Sequence, residues 1–234
     1  MIRAVLIDID NTVLDFDAFV RETMRKGFRQ FSLRPYEEWM FPVFCKVNDT
    51  LWRGIEKGEL TMEDVKLHRW QRIFEELDIH CDGPSFETFF RDELHESTIF
   101  VEGAEEAVRY LAGKYCLAAA SNGPHEQQVY RIRKAGLASC FSHIFISERL
   151  GVSKPDPLFF RRCLEEMNTA AHISGEIPFR REEVLMIGDS LTADMAGAGS
   201  FGLKTCYYDR KKKELPDPPT DYYVQDLHQI PSLL

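Results

Sequence analysis

The stretch Ala4-Val5-Leu6-Ile7-Asp8-Ile9-Asp10-Asn11-Thr12-Val13 decides how the rest of the chain is read. Ala4 to Ile7 is short, apolar and rich in branched residues, as in a strand buried on both faces. Two carboxylates follow at once, and carboxylates are rarely buried without compensation. Asp8 and Asp10 are therefore expected where the strand ends and opens into a site. Residues i and i+2 of an extended chain share a face, so both side chains can point the same way. Like charges held that close call for a cation or a shared proton. Oxygen ligands of this kind suit a hard divalent ion such as Mg2+. Asp-Asn-Thr is also ordinary turn and cap chemistry, so polar clusters elsewhere in the chain must decide between a site and a turn.

Downstream, residues from about Phe16 to Glu96 repeat apolar side chains at helical spacing, as in Phe16, Phe19, Val20, Met24 and Phe28. Thr61 with Asp64 resembles a capping box, and Gly83-Pro84-Ser85 opens a further helix. From Val101 the pattern becomes strand and helix in alternation. Strands are expected at Cys116–Ala120, Ile144–Ile146, Val184–Ile187 and Lys204–Tyr207, with a short one at Tyr222–Val224. Helices are expected near Ala104–Ala112, Glu126–Ala135, Pro157–Met167 and Ala193–Ala198. The stretch Thr169–Arg181 reads as a surface loop. Alternation implies a parallel sheet with right-handed crossovers. The fold class is thus α/β, a Rossmann-like parallel-sheet core (1–14 and 98–234) with an inserted all-helical cap (15–97). Ligands of such sheets bind at the C-terminal strand ends. Polar clusters fall there: Ser121-Asn122-Gly123, Lys154-Pro155-Asp156, and Gly188-Asp189-Ser190 with Asp194.

The 234 residues are 44% hydrophobic, enough for a sizeable core, and carry a net charge of −9. That balance argues against binding nucleic-acid polymers or anionic membranes, but not against a small anionic substrate. No apolar run is long enough to span a bilayer, and the start lacks a signal-peptide layout. The six cysteines show no CxxC or Cys/His ligand spacing, which argues against zinc. Reduced thiols and a cytoplasmic location are the expectation.

Taken in order, Asp8-Ile9-Asp10-Asn11-Thr12, Ser121-Asn122-Gly123, Lys154-Pro155 and Gly188-Asp189-Ser190 with Asp194 resemble the four motifs of the haloacid-dehalogenase-like hydrolases. The helical insertion resembles the cap of the subclass that carries it after the first motif. The resemblance implies Asp8 as nucleophile, forming an aspartyl-phosphate, and Asp10 as general acid/base. It implies Lys154 as the residue that neutralises charge on Asp8 and the phosphoryl group. Ser121 and the backbone N–H of Asn122 are implied to bind phosphoryl oxygens; Thr12 is implied on the substrate side, its hydroxyl steadying the motif loop, with Phe16 nearest in sequence to line the pocket. Mg2+ is implied at Asp8, Asp10 (through its backbone carbonyl), Asp189 and Asp194, the last directly or from behind. Asp10 discriminates within the family, because the dehalogenase branch lacks a carboxylate there. Asp15-Phe16-Asp17 is similar to nucleotidases for pyrimidine 5′-monophosphates. The implied substrate is a small phosphorylated metabolite, foremost a pyrimidine nucleoside 5′-monophosphate. A sugar or other metabolite phosphate is the alternative. A non-catalytic phosphate-binding or interaction protein is the alternative of another class. Trp39, Trp52 and Trp70 read as cap core. Arg210-Lys211-Lys212-Lys213 with Pro216, Pro218 and Pro219 reads as a solvated loop. His125 reads as a surface residue at a helix start.

Overall fold

The computed structural model describes residues 1–210 and 220–234. Lys211–Lys213 and the prolines of that stretch lie outside the described residues. The chain divides into two compact units, Met1–Asp15 with Thr98–Leu234, and Phe16–Ser97.

In the first unit, six parallel strands form one sheet in the order β3-β2-β1-β4-β5-β6. They are β1 (Ala4–Ile7), β2 (Cys116–Ser121), β3 (His143–Ile146), β4 (Val184–Gly188), β5 (Lys204–Tyr208) and β6 (Tyr222–Val224). β1 lies centrally, with Ile7 level with Ala119 of β2 and Ile187 of β4. Alternate residues of β1 feed opposite cores, as a pleat with period two requires. Val5 and Ile7 pack with Val108, Leu111 and Ile132. Ala4 and Leu6 pack with Phe159, Phe160 and Met186. Those helical partners come from α5 (Ala104–Ala112) and α6 (His125–Lys134) on one face, and α8 (Pro157–Ser174) on the other, while Met186 belongs to the neighbouring strand β4. Short α7 (Ser147–Leu150) follows β3, and α9 (Gly197–Phe201) precedes β5. A last turn, α10 (Ile230–Leu233), ends the chain. Burying each of the larger of these side chains contributes about 1.5–3 kcal/mol, so the strand that leads into Asp8 is held firmly from both sides.

Two expectations are corrected. α8 runs on to Ser174, absorbing the first half of the stretch read as a loop. Met167 and Ala171 keep the helical stripe buried, and Gly175, at φ 74°, ends it in a left-handed conformation that favours glycine. The helix expected at Ala193–Ala198 is instead a π-helical turn, Leu191–Ala196, followed by α9.

The second unit holds α1 (Phe16–Gln30), α2 (Met40–Glu56), α3 (Met62–Glu76) and α4 (Gly83–Glu96). Thr61 and Asp64 form the reciprocal cap at the start of α3. The interior is aromatic. Trp70 lies 4.3 Å from Phe86 between ring centroids, and Phe44, Phe74 and Phe90 surround it. Of the three tryptophans, Trp70 is fully buried but Trp39 is half-exposed, with the Arg34 guanidinium 5.4 Å from its ring. Within this aromatic interior Arg69 grips Glu87 through two nitrogens, at 3.0 and 2.6 Å, and Asn48 at 3.3 Å.

Candidate active site

Three polar clusters sit at the C-terminal ends of strands, around Asp8 after β1, Ser121 at the end of β2 and Asp189 after β4; the fourth, at Lys154, follows α7. Asp8 follows β1, and its backbone N–H still bonds the Ile187 carbonyl at 2.9 Å. The strand geometry therefore carries on to the first carboxylate. Asn11 then adopts a left-handed φ of 65° and turns the chain back, with Asn11 N–H on the Leu14 carbonyl.

Lys154 is the hub. Its Nζ donates to Asp8 Oδ1 at 2.7 Å, to Asp194 Oδ1 at 2.6 Å and to the Ala120 carbonyl at 2.8 Å. All three donor positions are used, and the side chain is buried. Asn122 fixes it from behind. Its amide nitrogen donates to the Lys154 carbonyl at 2.8 Å and its carbonyl accepts from Lys154 N–H at 2.9 Å. The Asn122 side chain thus orients the lysine loop.

Asp194 reaches the hub because of the π-helical turn. The N–H groups of Asp194 and Met195 both bond the Ser190 carbonyl, each at 3.1 Å. The widened turn swings the buried carboxylate inward, where Oδ2 also accepts from Ser190 N–H at 3.2 Å. Such bulges recur at functional positions. Gly188 leaves the space, because a Cβ there would collide with the Asp194 carboxylate.

Asp8, Asp189 and Asp194 each offer a carboxylate oxygen, all within 4.8 Å of one another. Three carboxylates gather here and Lys154 contacts two of them, so the carboxylates outnumber the cation. Burial pushes Asp8 up to about 7; Lys154 pulls against this, and Asp194 adds to it. For Lys154, burial works downward, but Asp194 and Asp8 outweigh it and hold the ammonium above its ordinary value. A hard divalent cation fits this all-oxygen set and its charge deficit.

The carboxylate of Asp10 is engaged by α6. It accepts from Arg131 Nη1 at 2.7 Å and from Gln128 Nε2 at 2.6 Å. Its backbone carbonyl is the group that remains a candidate for the cation. Ser121 Oγ accepts from Gly123 N–H at 3.1 Å and from Gln128 Nε2 at 2.8 Å.

One expected substrate contact is corrected. Thr12 is fully buried inside the turn that Asn11 starts, so its hydroxyl does not face a ligand. Phe16 belongs to the helical unit, where its ring lies 5.8 Å from Phe19 and 6.2 Å from both Phe44 and Phe90. Asp15, read as part of a nucleotidase-like signature, is held by Arg210 through both oxygens, at 3.0 and 2.8 Å. Arg210 also donates to Asn11 Oδ1 at 2.7 Å, so it braces the turn after Asp10 and is not a solvated loop residue. Sequence reading missed Gln128, Arg131 and Arg210. The spacing of Gln128 and Arg131 on one helix face, one turn after Gly123, was the available signal.

Comparisons with known proteins agree with this geometry. A family model for haloacid dehalogenase-like hydrolases matches residues 2–202. The HAD-hydrolase YfnB of Bacillus subtilis is 30% identical over 233 residues, covering 99% of this chain and 95% of that protein. A pyrimidine 5′-nucleotidase, PynA of Streptococcus pneumoniae, is 30% identical over 210 residues, covering 88% of this chain and 83% of its own. The magnesium-bound structure of Bacillus subtilis YfnB superposes with a TM-score of 0.86 at 31% identity, covering 100% and 98% of the two chains. With its motifs at the ends of three central strands and the family match spanning most of its length, this chain belongs to the haloacid dehalogenase-like hydrolases.

Proposed function

We propose that this protein is a Mg2+-dependent phosphomonoesterase that works through an aspartyl-phosphate on Asp8 and takes a pyrimidine nucleoside 5′-monophosphate. The observation that carries the reading is that two carboxylates two residues apart have different partners. Asp8 is bound to Lys154 and grouped with Asp189 and Asp194, whereas Asp10 is bound by Arg131 and Gln128. Two environments give two roles.

Asp8, ionised and oriented by Lys154, attacks phosphorus; the phosphorus–oxygen bond to the leaving alcohol breaks as Asp10 gives that oxygen a proton. Water then attacks the phosphoryl group, Asp10 takes its proton, and the bond to Asp8 breaks to release inorganic phosphate. Ser121 donates its hydroxyl to a phosphoryl oxygen, and Lys154 offsets charge as it builds there. Asp8, Asp189 and the Asp10 carbonyl would hold Mg2+, with Asp194 alongside; when bound it supplies the positive charge that lets two anions meet. The nucleotide assignment is supported by the relatives called pyrimidine 5′-nucleotidases, from Streptococcus pneumoniae and, at 28% identity over 232 residues, from Escherichia coli.

The test is Mg2+-dependent phosphate release across nucleoside 5′-monophosphates, sugar phosphates and p-nitrophenyl phosphate. The expected result is a kcat/KM for pyrimidine monophosphates at least about tenfold above the other natural esters. A sugar phosphate as best substrate would remove the nucleotide assignment and keep the Asp8 chemistry. No release from any member would remove the phosphomonoesterase reading.

A further inference from the structure

Helix α6 carries two buried polar side chains, Gln128 and Arg131, each only 1% exposed. Residues three apart share a helix face, and this face is turned to the site. Arg131 Nη1 donates to Asp10 Oδ1 at 2.7 Å and to Gln128 Oε1 at 3.0 Å. Gln128 Nε2 donates to Asp10 Oδ2 at 2.6 Å and to Ser121 Oγ at 2.8 Å. The absence of a side chain at Gly123 permits the approach, since a Cβ there would stand 2.5 Å from Gln128 Nε2.

We infer that Gln128 and Arg131 are positioning residues for the reaction, fastening the Asp10 carboxylate and the Ser121 hydroxyl into one rigid unit. The inference rests on the phosphomonoesterase reading. Hydrogen-bond capacity supplies the argument. A hydroxyl has two acceptor sites and one donor. Ser121 Oγ already accepts from Gly123 N–H and Gln128 Nε2. Its proton is therefore left to donate, which is the polarity an anionic phosphoryl oxygen requires. Each Asp10 oxygen accepts one bond and retains another lone pair for the proton that moves during turnover. With both oxygens held, the carboxylate cannot rotate away from the group that binds the phosphate.

The test uses the full chain with Mg2+ and the variants Arg131→Met, Arg131→Lys and Gln128→Leu. Each is assayed on glycerol phosphate, whose leaving group needs a proton, and on p-nitrophenyl phosphate, whose leaving group does not. Arg131→Met is expected to lose about 10- to 100-fold in kcat on glycerol phosphate, with KM little changed. On p-nitrophenyl phosphate it should give a stoichiometric burst of nitrophenolate followed by slow turnover, because only the second step needs Asp10. Gln128→Leu should show the same burst and also raise KM, since Ser121 loses its orientation. Arg131→Lys should recover most of the rate, because one cationic nitrogen makes both contacts. Wild-type kcat in Arg131→Met and Gln128→Leu would overturn the inference. So would burst and steady state falling together with the melting temperature, with Lys no better than Met, which is the behaviour of a purely structural brace. Absence of phosphate release by the wild type removes the phosphomonoesterase reading instead.

Discussion

Both units of this protein bury a cation against carboxylates, and they do it differently. In the helical unit Arg69 meets Glu87 and Asn48: one cation, one anion and a neutral acceptor, each hydrogen-bonded. In the sheet unit Lys154 meets Asp8 and Asp194, with Asp189 close by. The first cluster is balanced and complete in itself. The second gathers more carboxylates than its lysine can offset, an imbalance relieved by a bound cation or by a proton on Asp8, whose carboxyl burial pushes up to about 7. A buried ion pair is therefore weak grounds for function, whereas a buried charge excess at strand ends is strong grounds.

The largest expected effect breaks the sheet cluster at its nucleophile. Asp8→Asn should reduce phosphate release by about 10^4-fold or more, while the melting temperature without metal stays level or rises, because a penalised buried charge is gone. Near wild-type turnover would reject Asp8 as nucleophile. Removing the cation with a chelator should abolish turnover, and adding Mg2+ back should restore it; undiminished rates after dialysis would show that the charge excess is tolerated without metal. Lys154→Met should cost about 10^2–10^3-fold in kcat and, unlike Asp8→Asn, also destabilise the fold, since it strands two buried carboxylates.

The cap cluster should respond the other way. Glu87→Ala should cost about 3–5 kcal/mol of stability in denaturant unfolding, by stranding Arg69, with kcat of the folded fraction unchanged. The double replacement Arg69→Met with Glu87→Leu should recover most of that loss. A kcat defect in the double variant would mean that the cap pair serves the reaction, and the contrast between the units would fail. The smallest effect concerns Glu183. Its carboxyl is held down at about 2 by the Arg180 backbone N–H and guanidinium, with a further bond from Arg3. A lowered carboxyl stabilises the fold above its ordinary value of 4.5 and loses that contribution as pH falls toward 2. The melting-temperature gap between wild type and Glu183→Gln should shrink as the pH is lowered through that range; a constant gap would contradict it.

Local order was legible in the sequence where the chain carries its own signal. The apolar run into Asp8, the alternation after Val101 and the Thr61–Asp64 cap all depend on neighbours a few residues apart. Three of the four polar clusters could be placed in the same way, because Asp8, Ser121 and Asp189 fall at or next to a strand end. What the sequence could not supply depends on distant partners. Periodicity placed a plain helix at Asp194, but the pull of Lys154, 40 residues earlier in the chain, and of Ser190 N–H goes with a π-helical turn. Thr12 and Phe16 lie beside the first motif in sequence, yet one is turned into its own loop and the other packs into the aromatic interior of the cap. Arg131 and Asp10 are 121 residues apart. By itself the sequence determined which strands form and which chemical groups end them, since pattern and propensity are local. Only the tertiary structure decided which cation faces which carboxylate, because charge pairing and burial depend on distances that the folded sheet alone creates.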